Sequence, residues 1–588
     1  MSPSTEFNHI ALLQHRANTS GDTILFKLPD LKDSESPRKW STTITVAEFA
    51  AEVDRIAGFL AGRLSARGVP PRSVVSLLYS GRQYQDLLYA VALSRASYVP
   101  ELLSANGLAD PAVIYDLMDQ AKSKVLLFDP HFEHLTANCP YPKLALAPVE
   151  SLKIDSTADV EFTIDGQSSE LPKIEDLSTG PDDVCFIFLT SGSTSGRPKI
   201  VPYTQVSTST YYKSQFDIWL GDNRFDTQDV FIARGSVCSV AGMIQYLGCL
   251  STGSSIVYPS KANFSTEEFF NLVNFGGLNR LTTYGTYLAP HLQVARGDPA
   301  LLKLLQGMRT ISYGGVPISN ADDDWCFHNG VPIMDMYATT ECGLLMISFG
   351  PSKPARYIRP VPGLSCVFDP ITLTDPNAQL QLVDNPSHPT EHAISSELLT
   401  STTASAPAST KLHEFVLLAD SPQIPAPHLR SADGNLRSGD LFEQFPDGSY
   451  LLRGRDDDWI KSFFSDRTDA KAIEEKVYEL CGDLVKECMV IGHLRPSPAL
   501  FVTIDKSHDY IAKNTNTEDT LKELILERLK DFIATQYVHE KIQDKRLIFI
   551  VDQNALPRTN KGNFRRRGIE QKYQSELDAA YKAVYGEY

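Results

Sequence analysis

No stretch of this 588-residue chain approaches the roughly 18 consecutive apolar residues that would cross a bilayer as a helix. The N-terminus, MSPSTEFNHIALLQHRANTS, lacks a charged start followed by an apolar run and does not read as a secretory signal. Cysteine is sparse: nine residues, scattered, with no Cys-x-x-Cys pair. An odd, dispersed set reads as reduced thiols and excludes a disulfide framework. Basic charge is in deficit, with 55 Lys and Arg against 72 Asp and Glu, a net charge of −17. A broad nucleic-acid face needs positive charge to displace counterions, and docking on anionic lipid needs it as well. The expected setting is therefore cytoplasmic, with no nucleic-acid or membrane partner.

What is present is the balance of a globular protein, 42% hydrophobic and 22% charged. In residues 41–150, helical and strand patterns alternate. TVAEFAAEVDRIAGFLAGRLSARG has apolar residues at helical spacing and stops at Gly68, while SVVSLLYS and KVLLFD read as short buried strands. A second alternating run covers 183–350, with VCFIFL, DVFIA, SSIVYP and RTISY as strands. Alternation of this kind predicts an α/β fold of layered subdomains. Residues 370–435 turn rich in Pro, Ser, Thr and Ala and read as strands with an excursion. From about 457 the chain is charged and helical again, with LKELILERLKDFIATQYV at 521–538 the clearest amphipathic helix. The expected division is 1–456 as a large lobe, 457–570 as a smaller α+β lobe, and 571–588 as a helical tail or linker stub.

Four segments carry chemistry. In FIFLTSGSTSGRPKIVPYT an apolar strand runs into Thr190, Ser191, Gly192, Ser193, Thr194, Ser195, Gly196, Arg197, Pro198 and Lys199. Glycines let backbone N–H groups approach an anion, hydroxyls add donors and Lys199 adds charge, so the loop suits a polyphosphate. Its glycine spacing is not that of a Walker A loop, and Thr194 stands where a serine-hydrolase elbow has its serine. In MDMYATTECG, Thr340 can hold a phosphate, Glu341 can hold Mg²⁺, and Tyr337 can stack on a base. Taken alone, that pair is better read as an ordinary strand-to-loop junction. In RSGDLFEQFPDGSYLLRGRDDDWIK, Asp440 can grip two vicinal hydroxyls, and Pro446-Asp447-Gly448 is a hairpin turn. In NALPRTNKGNFRRRG a Pro/Gly loop presents Lys561, which can offset charge at a phosphoryl transition state. The neighbouring Arg565–Arg567 cluster reads as solvated surface.

In this order and at these gaps, the four segments resemble the adenylate-forming superfamily of acyl- and aryl-CoA ligases, luciferases and nonribosomal adenylation domains. The stretch ASYVPELLSANGLADPAVIYDLM and the Ser/Gly loop look most like adenylation domains of fungal adenylate-forming reductases. The resemblance spans residues 40 to 568. It implies that Thr190–Lys199 holds the β- and γ-phosphates of ATP and that Gly314-Gly315-Val316-Pro317 lies against adenine and the acyl pocket. By the same resemblance, Tyr337 stacks on adenine, Thr340 contacts phosphate, Glu341 ligates Mg²⁺, and Asp440 with Arg455 grips the ribose. Asp457 matches the hinge between the lobes, and Lys561 takes the adenylating lysine's role. Three departures stand out. Ala338 replaces a glycine; Ser462-Phe463-Phe464 lacks the glycine that follows the position of Lys461; and Lys561 precedes Gly562, with Asn563 in the family's lysine position.

Amino-acid-selecting members place an aspartate where this chain has Val240. The other positions that the resemblance puts around the acid are Ser239, Ala241, Ile244, Ile311, Tyr313, Met336, Leu344 and Leu345, nearly all apolar. Burying an ammonium there without a counter-charge is costly. The expected acid is therefore an aryl or branched/2-oxo acid, not an amino acid, and uncharged beyond its carboxylate. No carrier-type Gly-Gly-x-Ser follows residue 568, and no Gly-x-x-Gly-x-x-Gly fingerprint occurs. The leading expectation is an adenylation unit cut from a longer enzyme, using ATP and Mg²⁺ and loading the phosphopantetheine of a downstream carrier domain. The alternatives are a stand-alone acyl/aryl-CoA ligase and a nucleotide-binding pseudoenzyme.

Overall fold

The computed structural model describes the chain except for residues 1–7, 31–38, 107, 109, 148–162, 165–166, 169–170, 174–176, 178–179, 191–197, 222–226, 316, 372–411, 456–458, 462–466, 505–517, 537–539, 553, 559–563 and 587–588. Two compact units result. The first comprises residues 1–366, 417–436 and 447–449, and the second comprises residues 367–416, 437–446 and 450–588. The expected boundary at 457 and the Pro/Ser/Thr-rich excursion both fall outside the described residues.

The first unit holds two sheets. The smaller runs in the order Lys199–Thr204, Val184–Thr190, Val99–Ser104, Val74–Tyr79, Leu126–Phe128 and Lys143–Ala145, parallel except for its first pair. The larger runs Tyr357–Pro360, Gly343–Ser348, Ile333–Thr339, Thr310–Gly314, Arg280–Tyr284, Val230–Ile232, Ser255–Val257, Ile24–Leu28 and Thr42–Thr45. Its centre is parallel and its edges are antiparallel. Short apolar runs that are buried on both faces give such parallel strands.

The main core lies between the two sheets, where helices Val46–Ser65, Tyr84–Arg95, Gln205–Leu220 and Val240–Thr252 bury side chains against strands of both. The helix Val46–Ser65 starts at Thr45 because Thr45 and Glu48 cap one another reciprocally, an arrangement that contributes about 1 kcal/mol. Further apolar clusters cover the outer face of each sheet. The architecture is the α/β one expected.

In the second unit, strands Cys366–Pro370, Leu412–Leu417, Leu436–Gln444 and Tyr450–Arg455 follow one another in a sheet. A three-stranded sheet, Val485–Ile491, Ala499–Ile504 and Ile548–Ile550, packs with helices Ala470–Cys481 and Glu518–Thr535. The residues expected as a tail form helices Arg566–Lys572 and Gln574–Tyr585. Leu577 and Tyr581 are fully buried in this core, and Tyr581 donates to the carbonyl of Ser497 (2.6 Å). The helix Gln574–Tyr585 is thus packed into the core of this unit.

Candidate active site

The Thr340-Glu341 pair sits on a tight turn joining antiparallel strands Ile333–Thr339 and Gly343–Ser348. Thr339 accepts the Cys342 N–H through its hydroxyl (3.1 Å), and Gly343 takes a positive φ of 72°. Tyr203 donates to the carbonyl of Thr340 (2.8 Å), and Tyr211 stands edge-on to Tyr203 and donates to the carbonyl of Gln423. The Gln423 amide in turn donates to the carbonyls of Leu344 (2.9 Å) and Cys342 (3.3 Å). Both tyrosines are buried, and their hydroxyl pKa values lie well above the ordinary value. Burial is the main cause, and the nearby Glu341 charge adds to it. They remain neutral donors. Glu341 is half-buried and has no hydrogen bond or cation partner among the described residues, so its carboxylate is uncommitted.

A Cβ at Gly343 would sit 3.1 Å from the Tyr211 ring in a left-handed backbone conformation. Gly343→Ala is expected to cost about 1–3 kcal/mol and to tilt the Thr-Glu turn. Thermal unfolding would show the lower midpoint, and a raised KM for ATP would show the displaced turn.

The strands that flank the Ser/Gly segment set Thr190 directly opposite Lys199. Ser191, Gly192, Ser193, Thr194 and Gly196 lie outside the described residues, as do Lys561 and Asp457. Tyr337 is half-buried on the strand leading into the Thr-Glu turn. In the second unit, Asp440 and Arg455 are cross-strand partners at the end of a hairpin, and Asp440 is 8% exposed.

Of the residues expected around the acid, Val240, Ile244, Met336 and Leu344 share one apolar cluster on the inner face of the large sheet. Ser239 caps the helix Val240–Thr252 and anchors to the carbonyl of Ser236 (2.7 Å), and Ala241 follows in its first turn. Trp219 donates to the Met336 sulfur (3.3 Å) and fixes that side chain. Tyr313 and Ile311 are corrected: they pack in the separate cluster on the opposite face of the sheet. Side chains alternate along a strand, and the register pairs Gly314 with Met336 and Tyr313 with Asp335. The inner face of this strand is therefore presented by Ser312 and Gly314.

Gly314 is where the backbone must come close. A Cβ there would lie 2.9 Å from the Met336 carbonyl oxygen and 3.2 Å from an Arg234 Nη. Arg234 had drawn no attention in the sequence. It lies just beyond the strand Val230–Ile232, is 8% exposed, and its Nε is buried without a hydrogen-bond partner. It lines a pocket with Phe264, Thr282, Thr283, Tyr284 and Tyr287, of which it is the only charged member among the described residues. Among the described residues no group of three metal-ligating side chains occurs.

Comparison with known proteins agrees with this geometry. Residues 13–402 match the AMP-binding enzyme family, and residues 457–585 match the AMP-binding enzyme C-terminal domain. The AMP-binding domain-containing enzyme iboA of Amanita muscaria (strain Koide BX008) is 60% identical over 95% of this chain and 100% of its own length. The oxalate–CoA ligase of Arabidopsis thaliana is 25% identical over 58% of this chain and 64% of its own. Among solved structures, O-succinylbenzoate coenzyme A synthetase (MenE) from Bacillus subtilis, in complex with AMP, aligns with a TM-score of 0.67 at 16% identity, over 95% of this chain and 98% of that one. ATP-bound MatB from Rhodopseudomonas palustris aligns with a TM-score of 0.68 at 18% identity, over 97% and 99%. The two family matches and the 60% identical relative, on a shared fold, establish that the chain belongs to the AMP-binding enzyme family, whose members form adenylates.

Proposed function

We propose that this enzyme uses ATP to convert a carboxylic acid lacking an α-amino group into an acyl-adenylate, and passes the acyl group to a phosphopantetheine thiol. In the first step a carboxylate oxygen attacks the α-phosphorus and pyrophosphate leaves. In the second, the thiol sulfur attacks the acyl carbonyl, its proton is lost, and AMP leaves. The uncommitted Glu341 carboxylate on its braced turn carries this reading. Mg²⁺ is ordinarily held by one or two carboxylates together with substrate phosphates, and Glu341 would supply the carboxylate. Bound there, the ion would offset charge on the departing pyrophosphate. Thr190–Lys199 would cradle the outer phosphates, Thr340 would contact phosphate, and Tyr337 would stack on adenine against Gly314-Gly315. Asp440 and Arg455 would hold the ribose. Lys561 would serve the first half-reaction, with Asp457 as the hinge to the 457–570 lobe.

Val240 and its apolar neighbours on the inner face support an acid without an ammonium group, because Val240 offers no charge to balance one. Pyrophosphate release across aryl, branched, 2-oxo and amino acids tests this, and an amino acid as the best substrate would overturn it. The favoured acceptor is the phosphopantetheine of a carrier domain, as in carboxylate reductases and synthetases, in the cytoplasm. Free CoA is the second reading, supported by the CoA ligases among the relatives. Formation of acyl-CoA from CoA alone, without a carrier protein, would decide for it.

A further inference from the structure

Arg234 occupies an environment that a cation tolerates only with help. It is nine-tenths buried, its Nε has no partner, and no carboxylate pairs with it among the described residues. The Tyr284 ring lies under the guanidinium at 5.6 Å, a contact that offsets only part of the desolvation. Burial draws its pKa downward, yet a guanidinium stays protonated at any ordinary pH, so the charge remains.

The chain holds this arginine in place from the backbone. Gln245 accepts the Arg234 N–H (2.8 Å) and donates to the Ile232 carbonyl (2.9 Å) and the Thr282 hydroxyl (2.7 Å). Gly314 leaves room for the Nη, and the same Cβ-free spot adjoins Met336 on the inner face. The pocket opens just beyond the carboxyl ends of the parallel strands Val230–Ile232 and Arg280–Tyr284, where open α/β sheets bind ligands. A buried, unpaired, pre-positioned cation in such a place fits an anionic ligand group and little else.

We infer that Arg234 selects an acid with a second carboxylate, one carboxylate reacting with ATP while the other is held by the guanidinium beside Gly314 and Tyr284. The inference rests on the adenylation reading above and replaces the sequence-based expectation of an acid uncharged beyond its reacting group. The second carboxylate is the better partner because the reacting one loses its charge on forming the acyl-adenylate. Pairing with that one would leave Arg234 buried and uncompensated for the rest of the cycle.

The test uses the full chain, its Arg234→Met and Arg234→Lys variants, and diacids from malonate to adipate with phthalate, isophthalate and terephthalate, each beside its monoamide. Thermal shift reports binding, and ATP–pyrophosphate exchange reports chemistry. The native enzyme is expected to favour a diacid over its monoamide by roughly 10²-fold or more in kcat/KM. Arg234→Met should lower kcat/KM for the diacid by far more than for its monoamide and so collapse that preference. Arg234→Lys should restore part of it. Without ligand, Arg234→Met should melt at the native temperature or above, since it removes an unpaired buried charge. Diacid-dependent, Arg234-dependent stabilisation with no exchange for any acid would uphold the inference and sink the adenylation reading instead. Equal loss of diacid and monoamide activity in Arg234→Met, or no diacid bound better than its monoamide, overturns the inference.

Discussion

Replacing Glu341 by Gln lowers the ATP–pyrophosphate exchange rate by roughly 10²–10³-fold while the protein melts at its native temperature. The substitution keeps the shape of the side chain and removes its charge. The fold has little stake in that charge, because the carboxylate accepts no hydrogen bond and meets no cation among the described residues. The turn is held instead by Tyr203 on the Thr340 carbonyl, by Thr339 on the Cys342 N–H and by the Gln423 amide, and these bonds do not use the Glu341 carboxylate. The two tyrosines stay neutral with or without that charge, so its removal does not act on the fold through them at ordinary pH. A stability change would therefore be small and of either sign, and the loss would be confined to the step in which charge builds on pyrophosphate. Raising Mg²⁺ should recover part of the lost rate if the carboxylate is a metal ligand. Exchange at the native rate in Glu341→Gln would remove this residue from the site.

The sequence made the strands and the Thr-Glu turn legible for a local reason. Each is a short apolar run ending in residues that favour a turn, such as Thr340-Glu341 after MDMYA. The wall of the acid site was less legible because it depends on parity. RTISYGG identifies a buried strand but not which alternate residues face inward, and Tyr313 was placed on the wrong side of a sheet whose register with Asp335 fixes the answer. Arg234 was not legible at all. FIARG is a short strand ending in an ordinary cation. Its burial is created by Gln245, Tyr284 and Gly314, which come together only in the folded sheet. The helix Gln574–Tyr585 shows the same limit. Its periodicity was readable, but that Leu577 and Tyr581 have a core to enter was not.

Lys561→Ala and Asp457→Pro are expected to fail in opposite half-reactions. A lysine near the reacting carboxylate and α-phosphate stabilises charge that develops only while adenylate forms, an effect on the order of 10²–10³ in rate by analogy with other positioned donors. Lys561→Ala should therefore lose adenylation by about that factor yet transfer a supplied acyl-adenylate to the thiol at the native rate. The resemblance implies that the smaller lobe then turns about Asp457, withdrawing the lysine and admitting the thiol. Proline fixes φ and removes a donor, so Asp457→Pro should hold one arrangement. That variant is expected to form adenylate normally and accumulate it, with thioester formation slowed. Both substitutions fall outside the described residues, so the prediction stands on the sequence and on the chemistry of the two steps. Rapid-quench measurement of acyl-AMP and of thioester, taken separately, distinguishes the two variants. If Lys561→Ala adenylates at the native rate, the exchange of the family's Gly-Lys order for Lys561-Gly562 has left that lysine at the surface. The positive charge at the α-phosphate must then come from Lys461 or Lys199, and the same pair of assays on Lys461→Ala and Lys199→Ala would assign it.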